Sequence, residues 1–163
     1  MVNLCECKFG DRLRTKSGKM VLFICKQQPV NFYPFSKDDN AIETFTCISE
    51  SDNGGFVYMD YVSDGRNFDV RVPKICPENE IVGKWQKSDN TDDFAFGNKF
   101  KTNEGKMSVF IAKLRADSFT DSKIKFAFVM PNEGTFALLL LEENDLHDKN
   151  NPNSIVGRWE DEK

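Results

Sequence analysis

Four pairs of cations stand at matching places along this chain. Arg12 and Lys99, Arg14 and Lys101, Lys19 and Lys106, and Lys26 and Lys113 are each 87 residues apart. Positive side chains repeated in this way can hold an anionic partner, whether nucleic acid, a nucleotide or an acidic protein surface. They can equally guard an edge strand against pairing with another chain. Residues 8–26 carry a net +5 and residues 96–113 a net +3, which leaves −12 on the remainder of a chain whose total is −4. Two basic islands in an acidic whole argue against general nucleic-acid affinity, which depends on neutralising many phosphates, and favour a protein or other anionic partner met locally.

The remaining chemistry-bearing residues offer less. Gly10 and the Gly18-Lys19 pair lack the spacing, the following Ser or Thr and the helix that a phosphate-binding loop needs; Met20 and a strand follow instead. Cys5 and Cys7 could form half of a zinc site, but Cys25, Cys47, Cys76 and the single histidine, His147, supply no second short-spaced pair. His147 lies in "EENDLHDKNN", which lacks the central Gly and the spaced acids of a calcium loop. Carboxylate pairs such as Asp38/Asp39, Asp92/Asp93 and Glu142/Glu143 sit in polar stretches and read as solvated charge. No catalytic residue, metal ligand or cofactor is therefore expected. Phe32, Tyr33 and Phe35, stiffened by Pro29 and Pro34, form an aromatic loop that can anchor a partner or close the open end of a small module.

What positions these residues is a repeat. "FGDRLRTKSGKMVLFICK" at 9–26 and "FGNKFKTNEGKMSVFIAK" at 96–113 share nine identities in eighteen positions, and "IVGKW" at 81–85 returns as "IVGRW" at 155–159. The pattern is that of an internal duplication. Each phrase reads as a hairpin, with Gly18 and Gly105 at the left-handed position of a three-residue loop. Alternation predicts further strands in "IETFTCIS", "KIKFAFVM", "GFVYMDYV", "TFALLLL" and "NFDVRVP", while "ENDLHDKNNPN" reads as loop. No stretch of ten residues keeps a helical period.

The expected fold is all-β: two packed small β-barrel or SH3-like modules, residues 1–85 and 96–163, joined by a linker at 86–95. The alternative is one closed barrel or sandwich with a pseudo-two-fold axis. Trp85 and Trp159, large aromatics at equivalent places, are expected to be substantially buried and to complete a core. No apolar run reaches the length of a membrane span, and the N-terminus lacks a signal-peptide pattern. The odd number of cysteines, five, gives no support to a disulfide framework, so the cytoplasm is the expected location.

"DRLRTKSGKMVLFICK" with "YVSDGRNF" resembles a small β module found in proteins of unknown function from gut Bacteroidales bacteria and their phages. There, a basic strand, a Gly-Lys or Gly-Arg turn and an apolar strand are followed by a strand ending in an Asp-Gly turn. The resemblance covers about residues 11–68 and the hairpin of the second repeat, which lacks Asp-Gly-Arg. It implies a bacterial or phage cytoplasmic setting and brings no functional residue. The function expected is that of a non-enzymatic binding module using Arg12, Arg14, Lys19, Lys99, Lys101 and Lys106 with Phe32, Tyr33 and Phe35. A small-molecule-binding barrel or an enzyme with a Phe-lined pocket is the rival class, and the oligomeric state is open.

Overall fold

The structure, a computed structural model, describes residues 2–27, 43–69, 74–86, 94–115 and 124–160. The Phe32–Phe35 loop and most of the 86–95 linker lie outside the described residues. Strands in the first half are β1 (Arg12–Thr15), β2 (Met20–Lys26), β3 (Thr44–Glu50), β4 (Phe56–Val62), β5 (Asn67–Asp69), β6 (Lys74–Ile75) and β7 (Ile81–Lys84). Those in the second are β8 (Lys99–Thr102), β9 (Met107–Arg115), β10 (Ile124–Asn132), β11 (Thr135–Glu142) and β12 (Ile155–Arg158). Helix among the described residues is limited to single 3-10 turns at Leu4–Glu6 and Pro77–Asn79. The protein is all-β. The chain divides into two compact units, Met1–Ser49 with Val57–Lys87 and Ser88–Lys163 with Glu50–Phe56.

Two separate antiparallel sheets form, ordered β6-β5-β4-β3-β2-β1-β7 and β11-β10-β9-β8-β12. Among the described residues every strand pairs within one of these two sheets, as two β modules require. Five strands of each follow the same order: fourth, third, second and first strand of the repeat, then the Trp-bearing strand. The hydrogen bonds match individually. Gly10 donates to Phe23 O and Gly97 to Phe110 O, Thr15 to Lys19 O and Thr102 to Lys106 O, Lys16 to Glu80 O and Asn103 to Ser154 O. Gly18 and Gly105 have φ of 83° and 79°, the left-handed geometry that the hairpin loop demands and that glycine adopts without steric cost. The buried Thr15 and Thr102 hydroxyls each accept the N–H of the lysine that closes the loop, at 3.1 Å.

Alternation along the hairpins decides the cores. Leu13, Val21, Phe23, Phe45, Cys47, Tyr61 and Ile81 cluster on one face of the first sheet, with Leu4 joining them from the N-terminal turn. In the second, Phe100, Phe110, Phe126, Phe128, Leu141 and Ile155 do the same, with Leu146 and the half-buried Phe94. Both sheets curl similarly: Ile81 N–H reaches Gly65 O at 2.9 Å and Ile155 N–H reaches Leu146 O at 2.7 Å, tying the turn after the fourth strand to the last strand. Gly65 cannot be replaced freely there. Its φ is 87°, and a Cβ would stand 2.8 Å from Ile81 O.

Two expectations are corrected. The basic strands β1 and β8 are not edges, because β7 and β12 pair along their outer sides. Trp85 and Trp159 are half-buried, and the buried members of their repeats are Ile81 and Ile155. A register shift explains the second point. The extra residue in β7 and β12, Val82 and Val156, breaks the alternation and leaves each Trp one place past its strand, on the face opposite the cluster that holds Leu13 or Phe100.

Candidate functional site

On the face opposite each of these clusters, in line with the fully buried Leu22 and Ile48 of the first sheet and Val109 and Val129 of the second, the first and last strands of the repeat bring a small set of side chains together. Arg14 pairs with Met20 on one side and Gly83 on the other; Lys101 pairs with Met107 and Gly157. Arg12 and Lys99 lie two residues earlier on the same face, opposite the buried Leu22 and Val109. Trp85 N–H donates to Arg12 O at 2.9 Å and Trp159 N–H to Lys99 O at 3.1 Å, so alternation places each indole on the glycine's side. Arg14 and Lys101 are exposed, whereas Arg12 and Lys99 are half-buried. The result, twice over, is two cations and a tryptophan around a bare stretch of backbone.

The bare stretch is the informative part. Neither Gly83 nor Gly157 has a positive φ, and a Cβ on either would meet nothing within 4 Å. Local geometry does not call for glycine at either place. In a strand such a residue marks a bulge, and one adjoins each of these glycines, or a point where another backbone or a ligand comes close.

The other sequence-identified cations extend the surface only in part. Lys19 and Lys106 sit exposed at the hairpin tips, and Lys106 Nζ pairs with Glu104 Oε2 at 2.9 Å, which mutes the second tip. Phe32, Tyr33 and Phe35 lie outside the described residues. Gly83, Gly157, Trp85 and Trp159 were missing from the expected site. The recurring "VG[KR]W" was the available signal, but no local pattern says which strand lies beside it.

Groups suited to catalysis are placed differently. Burial pushes the thiols of Cys7, Cys25 and Cys47 upward, which keeps them protonated and poorly nucleophilic at neutral pH. Among the described residues no group of three or more His, Cys, Asp or Glu is placed to hold a metal ion. Exposed Cys5 has its Sγ 3.6 Å from Glu43 Oε2, and Glu43 is ion-paired with Lys26. His147 is exposed and its Nδ1 donates to Ile155 O at 3.2 Å, a contact that steadies the loop before β12. A polar cluster unanticipated from sequence joins Gln27, Thr46 and Asp60: Gln27 Nε2 donates to the Thr46 hydroxyl and, at 3.2 Å, to Asp60 Oδ1, and Thr46 donates to the same oxygen at 3.4 Å. These groups satisfy one another.

The "DGR" of the first repeat is likewise structural. Arg66 Nε bonds both carboxylate oxygens of Asp64, at 3.1 and 2.9 Å, around the glycine that touches β7. Partial burial raises the Asp64 pKa, but the hydrogen bonds and charge of Arg66 outweigh it and hold the carboxyl below its ordinary value. No family model, curated protein or solved structure matches this chain.

Proposed function

We propose that this protein is a non-enzymatic binding module whose two repeated surfaces, Arg12-Arg14-Gly83-Trp85 and Lys99-Lys101-Gly157-Trp159, each receive an anionic partner, foremost an acidic protein segment. The observation that carries the reading is the recurrence in both sheets of an exposed cation, Arg14 or Lys101, across from a glycine beside the bulge whose Cβ would meet nothing within 4 Å. A missing side chain lets a partner's backbone approach, the cations meet its charge, and the half-buried indole offers a flat apolar wall. Supporting the binding class over a Phe-lined pocket, the second core's phenylalanines spend their faces on each other: Phe94 lies 5.1 to 6.2 Å from the rings of Phe100, Phe110, Phe126 and Phe128. A cytoplasmic setting in a bacterium or phage accords with the resemblance noted above.

Trp85 and Trp159 are the chain's only tryptophans, so intrinsic fluorescence reads both surfaces directly. Titration with an oligoglutamate peptide at low ionic strength is expected to give a saturable change that added salt reverses. The double charge reversal Arg14→Glu/Lys101→Glu is expected to abolish it, and Gly83→Leu/Gly157→Leu to weaken it about tenfold or more by blocking approach without altering charge. A wild-type protein whose fluorescence ignores the peptide, or reversal variants that bind it unchanged, would overturn the reading.

A further inference from the structure

The two ends of the sheets are not equally protected. Edge strands β7 and β12 are four residues long, carry a bulge, and end in Lys84 and Arg158, and β6 has two residues. All these devices discourage pairing with another chain. Strand β11 has none of them. It runs eight residues, Thr135–Glu142, is paired without a register shift to β10, contains no proline, and carries no charge before Glu142. Among the described residues no strand lies on its other side.

The turn that precedes it determines which groups face outward. Glu133 and Gly134 both have positive φ, 42° and 82°, the signature of a type I′ two-residue loop. In such a loop the flanking pair, Asn132 and Thr135, exchanges hydrogen bonds, so every second residue from Thr135 addresses β10 and those between address the open side. Leu138 and Leu140 are therefore outward in their backbone groups. Their side chains are also 43% and 44% exposed, in a position where most strands carry polar residues. Aligned on the core residues Tyr61 and Leu141, the first sheet has Tyr58 and Asp60 at these places, and β5 pairs with Asp60 and Tyr61. The first sheet thus shows an antiparallel strand added at the corresponding edge of the same architecture.

We infer that β11 pairs antiparallel with β11 of a second copy of this chain, about a two-fold axis at Leu138, joining two five-stranded sheets edge to edge. In that register Leu138 meets Leu138 of the copy and Phe136 meets Leu140, an apolar ladder on one face, while Ala137 meets Leu139 on the other. The self-matching order of Phe136, Leu138 and Leu140 about the axis suits a second copy, and charge does not oppose it. The strand is neutral from Thr135 to Leu141 in a chain of net −4, so two copies meet here without the like-charge repulsion that other approaches would bring. A two-fold closes the assembly and leaves no open end to propagate.

Sedimentation of the full chain over rising concentration tests this, using Leu138→Lys and Leu138→Glu. Wild type is expected to shift from monomer to dimer, and each variant to remain monomeric with its thermal transition and far-ultraviolet circular dichroism preserved. An equimolar mixture of the two variants is expected to dimerise, because the axis places the lysine of one copy against the glutamate of the other. Wild type that stays monomeric throughout, including one that instead takes up extended peptides along this edge, overturns the inference. So does a folded Leu138→Lys variant that dimerises like wild type, or a mixture that remains monomeric.

Discussion

The first unit's core is filled with residues of mixed size and the second's is filled with phenylalanine, yet the backbone beneath them is the same. Matched by strand register, Leu13 becomes Phe100, Cys47 becomes Phe128, Val21 becomes Ser108 and Tyr61 becomes Leu141, while Phe23 and Phe45 remain phenylalanine as Phe110 and Phe126. Gains of volume at two places accompany losses at two others. The plug differs as well: Leu4 enters the first core from the N-terminal turn, and Leu146 enters the second from the turn after β11. What is common to both is polar and local, namely the hairpin loops, the threonine caps, the bulge in the last strand and the bond that ties the fourth-strand turn to it. Topology is held by backbone groups that must find partners, whereas apolar filling is exchangeable as long as the total volume is kept.

The largest expected effect comes from emptying the slot where the cores differ most. Phe128 is fully buried against three aromatic rings, at 6.2, 5.9 and 5.5 Å, and Phe128→Ala is expected to cost about 3–5 kcal/mol in denaturant-induced unfolding. A loss below roughly 1 kcal/mol would mean that the ring cluster does not hold the unit together. Next is Gly65→Ala, which sets a Cβ against backbone at 2.8 Å in a left-handed conformation. It is expected to cost about 3 kcal/mol, while Gly157→Ala, in open space at ordinary φ, should leave the melting temperature nearly unchanged. Equal effects from the two would remove the distinction between a glycine the fold needs and one it does not.

Transplanting a residue between the cores sharpens the volume argument. Cys47→Phe places the second unit's side chain in the first unit's slot without the compensating changes, and overpacking should destabilise by about 2 kcal/mol. Adding Tyr61→Leu, the second unit's partner substitution, is expected to restore part of that loss; a strictly additive double mutant would show that the two slots do not share volume. The smallest effect goes the other way. Ser108 Oγ is buried without a hydrogen-bond partner among the described residues, and Val21 fills the matching place in the first unit. Ser108→Val should therefore stabilise by about 1 kcal/mol, seen as a raised midpoint with unchanged slope in urea.

Much of this architecture could be read from the chain before folding was considered. Gly18 and Gly105 announce their loops because a left-handed residue has few alternatives, and the alternation in "KIKFAFVM" names Phe126 and Phe128 as core because side chains in a strand point to opposite faces by turns. The cations Arg14 and Lys101 were legible as a repeated pair. These are properties of short segments, set by sterics and by the period of a strand. The neighbour of each basic strand, the side on which Trp85 and Trp159 emerge, and the meaning of Gly83 and Gly157 came from the tertiary structure alone. They depend on pairing between segments about 70 residues apart in the first unit and about 56 in the second, as Arg14 with Gly83 and Lys101 with Gly157, and on one extra residue in the last strand. A hydrogen-bond register between distant strands is chosen by the whole sheet burying its apolar face, so it leaves no mark that a local reading can find.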